Sequence, residues 1–331
     1  MSDGFSWAVL ELDVEQSCST IEKSIATATG RVLKRRGVVI GVSGGVDSAV
    51  CLALAVRALG PSRVQPILMP ERETDHAATA RAAALCADLG VEPIVEDIGP
   101  ALEAIGCYQR RDSAIKEVFP DYGSGYRQKV TIAEDLTGRD RVNYFNLTIS
   151  SPDGIEERRR LSASVHSRVV AATNMKQRTR KMVEYFHAES RNFAVLGTPN
   201  RLEHELGFFV RGGDGLADLK PIAHLFKTQV YALGAHLHIH ESILRQPPTT
   251  DTYTLPQTQE EFYFALPYGE MDLLLWAWLH DVPPRQAAAV LGLAPPQVER
   301  VYRDIQLKRR AAARGLSGAQ LVEPVPLEEH P

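Results

Sequence analysis

The chain has 331 residues, 44% of them hydrophobic and 24% charged, with a formal net charge of −4. That is enough apolar material for one large domain, or one domain with an elaborated end. The slight acidity removes any bulk electrostatic case for binding nucleic acid, although local geometry can still bind phosphate.

Cys18, Cys51, Cys86 and Cys107 form no C-x-x-C pair. Cys51 and Cys86 fall within apolar helical patterns, as small buried hydrophobes do. This usage suits a reducing cytosol, and a cytoplasmic location is expected. The start, "MSDGFSWAVLELDVEQ", lacks the basic and apolar regions of a signal peptide. No apolar run approaches the roughly 18 residues of a membrane span, so no membrane partner is expected.

In chain order, residues 15–37 predict an amphipathic helix ending near Gly37. Val38, Val39, Ile40 and Val42 form the short apolar run of a strand buried on both faces. A helix from Asp47 to Leu59 stops at "GPS". "RVQPILMP" predicts a second strand, "ETDHAATARAAALCADLG" a helix and "VEPIVEDI" a third strand. Strands alternating with helices predict a Rossmann-like α/β fold, a parallel sheet with helices on both faces.

Regularity lapses from about 107 to 165, an inserted segment in which "NYFNLTISSPDGIEERRRLSAS" predicts a hairpin or lid. "MKQRTRKMVEYFHAES" returns to helix, "NFAVLGT" is a further buried strand, and "LFKTQVYALGAHLHI" is helical. "RQPPTTDTYTLPQTQ" predicts a loop. The expected domain spans residues 1–280, followed by a helical C-terminal tail over 281–331. His236, His238 and His240 alternate at a helix end, with no acid or cysteine to complete a zinc set, and predict a solvated turn.

The sharpest signal is "GVVIGVSGGVDSAVCLALA", residues 37–55. A strand running through Gly41 into Ser43-Gly44-Gly45-Val46-Asp47-Ser48, then a helix, makes an anion site. The glycines allow close approach, N–H groups point into the turn, and the helix start adds partial positive charge. There is no Walker lysine. Asp47 beside phosphate is either the helix N-cap or a ligand for Mg²⁺ bridging to the phosphates.

The string S-G-G-x-D-S resembles the pyrophosphate loop of the ATP pyrophosphatases, of the adenine nucleotide alpha hydrolase type. With "TNMKQRTRKMVEY", "VLGTPNRLEHELGFFVRGGDGLADLKPIAHLFKTQV" and "PPTTD" in that order, the chain resembles the synthetase domain of ammonia-dependent NAD synthetases over about residues 20–275. The resemblance implies a ligase that adenylates a carboxylate with ATP, releases pyrophosphate and lets ammonia displace AMP. Deamido-NAD is then the expected acceptor.

It also implies roles for individual residues. Gly41, Ser43, Gly44, Gly45, Asp47, Ser48, Thr198 and Thr249 would bind ATP, and Asp47 with Glu203 would hold Mg²⁺. Asp214 and Lys227 would serve catalysis. Asn174, Arg178, Arg211 and Asp218 would meet the acceptor, Asn174 and Arg178 lying on a basic helix with Lys176 and Arg180. A homodimer is implied, with ammonia free or delivered by a separate glutaminase. The chain departs from the family pattern in the insertion, in "MPERETD", and after "PPTTD", where Glu260 and Glu261 cover only the first two acids. These departures cluster on the expected acceptor side. They leave open another carboxylate, such as a nucleotide-sugar uronic acid, and a non-catalytic adenine-nucleotide sensor.

Overall fold

The computed structural model describes residues 4–132, 144–248, 253–256, 263–264, 266–323 and 325. After a short 3₁₀ turn, α1 (Val14–Thr27) leads to β1 (Val38–Gly41), α2 (Val46–Leu59), β2 (Val64–Leu68), α3 (His76–Asp88), β3 (Ile94–Val95) and α4 (Gly99–Ala104). Then come α5 (Cys107–Lys116), β4 (Arg127–Ile132), β5 (Phe145–Ser150), β6 (Glu156–Arg160), α6 (Ala163–Arg191), β7 (Ala194–Leu196) and α7 (Arg201–Leu206). The chain continues through α8 (Lys227–His236), α9 (Glu241–Leu244), α10 (Tyr268–Leu279), α11 (Pro284–Leu291) and α12 (Pro295–Leu316).

Among the described residues, four strands form a parallel sheet in the order β3–β2–β1–β7, Val38 lying opposite Val64 on one side and Ala194 on the other. Successive side chains of β1 point to opposite faces. Val38 and Ile40 join a core with α1, α2 and α8, and Val39 joins one with α4, α5 and α6. Helices therefore cover both faces, the α/β layering expected from the alternation. The apolar run of β1 follows from that double burial, and α2 is apolar almost all round because it is buried nearly throughout.

Several expectations need correction. The first helix ends at Thr27 and continues as a wider π-turn over Ala28–Val32. The third strand keeps two residues, since only Ile67 and Leu68 of β2 face it. Regularity does not lapse at Cys107: α5 begins there, hidden in the sequence by the polar run "QRRDS". The expected hairpin is present as β5 and β6 around Ser151-Pro152-Asp153-Gly154, and β4 adds a third antiparallel strand. This small sheet packs on α5 and the start of α6 through Ile115, Phe119, Leu147, Ile149, Val165 and Val169.

Helices α10, α11 and α12 share a fourth core with α7, in which Leu202 and Leu206 meet Leu274, Val298 and Ile305. His236, His238 and His240 are exposed, and His240 Nδ1 caps α9 by accepting from Ser242 N at 3.1 Å. The four cysteines are buried and free. Among the described residues, no helix is long and apolar enough to cross a membrane.

Candidate active site

The chain order places β2 and β3 on one side of β1 and β7 on the other. Such a reversal opens a crevice at the carboxyl ends of the strands, where open α/β sheets bind ligands. A cavity of about 560 Å³ lies there. The turn from β1 into α2 forms its floor: Gly41, Ser43, Gly44, Gly45, Asp47 and Ser48 all line it.

The turn is held by its own hydroxyls. Ser48 Oγ donates to Gly45 O at 3.0 Å and accepts from Ser43 N at 3.3 Å, and Gly45 N donates to Ser43 Oγ at 3.3 Å. Gly44 sits at φ +82°, and a Cβ there would meet the Ala78 carbonyl oxygen of α3 at 2.4 Å. Gly44→Ala is therefore expected to cost more than the about 1–2 kcal/mol of left-handed backbone alone. At Gly45 an added carbon meets Ser43 Oγ at 3.4 Å, so Gly45→Ala is expected to cost far less. Denaturant unfolding of the two variants checks this.

Asp47 is not the N-cap of α2. Gly45 is, and Asp47 lies in the first turn with its carboxylate free to face the cavity. It pairs with Lys227 Nζ and accepts from Asn200 Nδ2 at 3.3 Å. Asn200 starts α7 in a reciprocal capping box: Glu203 N donates to Asn200 Oδ1 and Asn200 N to Glu203 Oε2, each at 3.1 Å. That box fixes Glu203 at the cavity wall, near enough to feel the charge of Asp47. Burial, then the charge of Asp47, pushes Glu203 up to about 8. Burial lowers the pKa of Lys227, but Asp47 and Glu203 outweigh it and the ammonium is favoured.

Lys227 is the first residue of α8 and is 1% exposed. Asp272 of α10, itself fully buried, accepts from Lys227 N at 3.2 Å and Thr228 N at 2.7 Å, satisfying two orphan N–H groups of the helix start. Burial pushes Asp272 up to about 6, against the pull of those donors. With a native pKa above the unfolded 3.8, the folded state binds the extra proton between about pH 4 and 6, so stability falls as pH rises through that window and is level above it. Wild type is expected to lose up to about 1.4 kcal/mol per pH unit there relative to Asp272→Asn, as measured by urea unfolding across that range.

Thr198 and Asn174 also line the cavity, from the end of β7 and from α6. Asp214 lines it too: its Oδ1 accepts from Val210 N at 2.6 Å, and burial raises its pKa. Arg178, Arg211 and Asp218 are not among the lining residues. Arg178 Nε donates to Arg211 O at 3.1 Å on the exposed surface, and Asp218 accepts from Val195 N at 2.7 Å and Tyr185 OH at 3.2 Å. Thr249, Glu260 and Glu261 lie outside the described residues.

Lys176 and Arg180 do not act as one basic face: Arg180 lines the cavity, whereas Lys176 is fully buried. Site residues not anticipated include Asn200, Asp272 and the buried pair Lys181–Glu184, joined at 2.6 Å. Asn200 had a signal, since Asn three residues before Glu is a helix-start signature. Asp272 had a weaker one, a lone acid in "MDLLLWAWL". Lys181 had none.

The NAD synthase family model matches residues 14–118 and 126–312. An NH(3)-dependent NAD(+) synthetase of Rhizobium meliloti (strain 1021) is 50% identical over 321 residues, 97% of this chain and 96% of its own. Another, from Thermotoga maritima, is 34% identical over 275 residues, 83% of this chain and 89% of its own. The solved NMN synthetase of Francisella tularensis shares the fold with a TM-score of 0.64 at 21% identity, covering 94% of this chain and 99% of that one. The match of the family model, and 50% identity over nearly the whole length, place the chain in the NAD synthase family.

Proposed function

We propose that this chain joins ammonia to the carboxylate of deamido-NAD with ATP, giving NAD, AMP and pyrophosphate. The observation that carries this reading is the convergence of the serine-glycine turn, Asp47, Glu203, Lys227 and Asp214 on one cavity. Relatives matched over nearly the full chain are named for this reaction.

Two carboxylates facing one site, one of them destabilised as an anion by burial and by the other, fit a hard divalent cation that takes its remaining ligands from phosphate oxygens. Asp47 and Glu203 would hold Mg²⁺, which when bound neutralises charge on the triphosphate. The chain's own residues do the rest. The turn N–H groups and the Ser43 and Ser48 hydroxyls hold the β- and γ-phosphates. An acceptor carboxylate oxygen attacks the α-phosphorus, and the bond to the bridging oxygen breaks with its electron pair leaving on pyrophosphate. Lys227 stabilises that growing charge. Ammonia then attacks the acyl carbon, AMP departs, and Asp214 takes the proton released by nitrogen. Thr198 and Thr249 would contact ATP, and Asn174 the acceptor.

The enzyme is proposed to be a homodimer. Met182 and Phe186, each 64% exposed one turn apart on α6, offer an apolar stripe beside Arg178 for a second copy. Arg178, Arg211 and Asp218, outside the cavity of one chain, would then meet the acceptor near that junction. Sedimentation at graded concentration tests the dimer.

The deciding experiment follows pyrophosphate from Mg-ATP and ammonium, with and without deamido-NAD. Acceptor-dependent pyrophosphate equal to NAD formed is the expected result. Bound ATP without stimulation by this acceptor would overturn the acceptor assignment and favour another carboxylate. A chain that binds ATP but releases no pyrophosphate with any acceptor is a sensor.

A further inference from the structure

The loop after β2, Met69 to Asp75, is gripped from behind by buried charges. Lys176 of α6 donates Nζ to Glu71 at 2.9 Å and to Glu73 at 2.7 Å. Arg111 of α5, 4% exposed, reaches Glu73 at 2.6 Å. Tyr108 OH of α5 donates to Glu71 at 2.7 Å, while the Arg72 guanidinium lies 3.4 Å from the Tyr108 ring centre. The loop is closed on itself as well: Glu71 N donates to Thr74 Oγ1 at 3.1 Å and Glu73 N to Glu71 Oε2 at 3.0 Å.

Stability alone does not explain such a cluster, because apolar replacements of buried ion pairs are often neutral or stabilising. What the cluster does give is a single geometry for the loop. The front of that loop is cavity wall: Pro70, Thr74 and Asp75 line it, as do Ala78 and Thr79 at the start of α3. Ala78 is the residue against which Gly44 of the phosphate turn packs with no room for a Cβ. A shift of the loop therefore reaches the phosphate turn directly. Arg111 and Tyr108 lie on α5, which packs along α6, the helix that carries Lys176.

We propose that Lys176, Arg111 and Tyr108 are positioning residues for the nucleotide, and that α5 and α6 set ATP affinity by clamping the β2–α3 loop through Glu71 and Glu73. The inference rests on the reading of the cavity as an ATP site. Its chemistry is a buttress: none of the three touches the reacting atoms.

The test compares wild type with Lys176→Met and with Tyr108→Phe, the latter removing one hydroxyl with little change in volume. Binding of α,β-methylene-ATP is measured directly by calorimetry, alongside KM for ATP, KM for deamido-NAD and ammonium, kcat and Tm. Lys176→Met is expected to raise the Kd for the analogue about tenfold, equivalent to about 1.4 kcal/mol. Tyr108→Phe is expected to raise it by less. KM for ATP should rise in step, with kcat at saturation and the other two KM values unchanged. A lower Tm with unchanged analogue Kd in Tyr108→Phe would reduce the cluster to a structural role and overturn the proposal, even if Lys176→Met fails to fold. Loss of kcat at constant KM for ATP would overturn it too. Failure of the wild type to bind the analogue would instead strike the ATP reading itself.

Discussion

Asp47→Asn and Glu203→Gln are each expected to lower acceptor-dependent pyrophosphate release by about 10²–10³-fold or more, the scale of losing one preorganised electrostatic contact in a transition state. Both keep shape and remove charge. Glu203→Gln retains an oxygen for the Asn200 N–H of the capping box, so α7 is expected to remain folded. It also removes a carboxyl whose ionised form burial and Asp47 disfavour, so its Tm is expected to equal or exceed that of wild type while activity is lost. That opposition separates a functional carboxylate from a structural one. Near-normal turnover in either variant, with pyrophosphate measured at saturating Mg-ATP, would remove that residue from the metal role.

Lys227→Met is expected to cause the second large loss, about 10²–10³-fold in kcat. Its ammonium is buried, is aimed at Asp47 from the first turn of α8, and is anchored through its own backbone by Asp272. The methionine side chain fills similar space without the charge. Because Asp47 then loses its cation, a modest Tm decrease is expected as well. Lys227→Arg keeps the charge but brings a planar, larger head to a fully enclosed position, so its activity is expected to recover only in part. A Lys227→Met enzyme with unchanged kcat and raised KM for ATP would mean that the lysine binds ground-state phosphate and gives no extra help to the leaving pyrophosphate.

The layering of the fold was legible because β1 and α2 are buried on all sides, and that burial demands an uninterrupted apolar sequence. The phosphate turn was legible for a related reason: Gly44 must adopt positive φ against a neighbouring carbonyl, and only glycine does so without strain. Glu203 stood out through the family motif, and its capping partner Asn200 was recoverable from local spacing. By contrast, α5 was obscured because one face of it carries Arg111 inward to meet Glu73, so a position that looks solvated is buried. Lys176 misled for the same reason. Helical spacing put it on a face with Arg180, but its partners Glu71 and Glu73 lie about a hundred residues earlier in the chain.

Local and short-range features are readable from neighbouring residues alone: the alternating strands and helices, the anion-binding turn, the helix starts and the family pattern through Lys227. Those features depend on backbone conformation and on the period of apolar residues, both written into neighbouring positions. Which charges face the cavity and which are buried away from it follows from the folded arrangement. It set Asp47, Glu203 and Lys227 against one another, turned Asp218 toward the backbone of β7, and placed Asp272 under the helix that carries the lysine. The physical reason is that burial and pairing of a charge depend on chain segments that meet only after folding, and the desolvation they impose has no local signature.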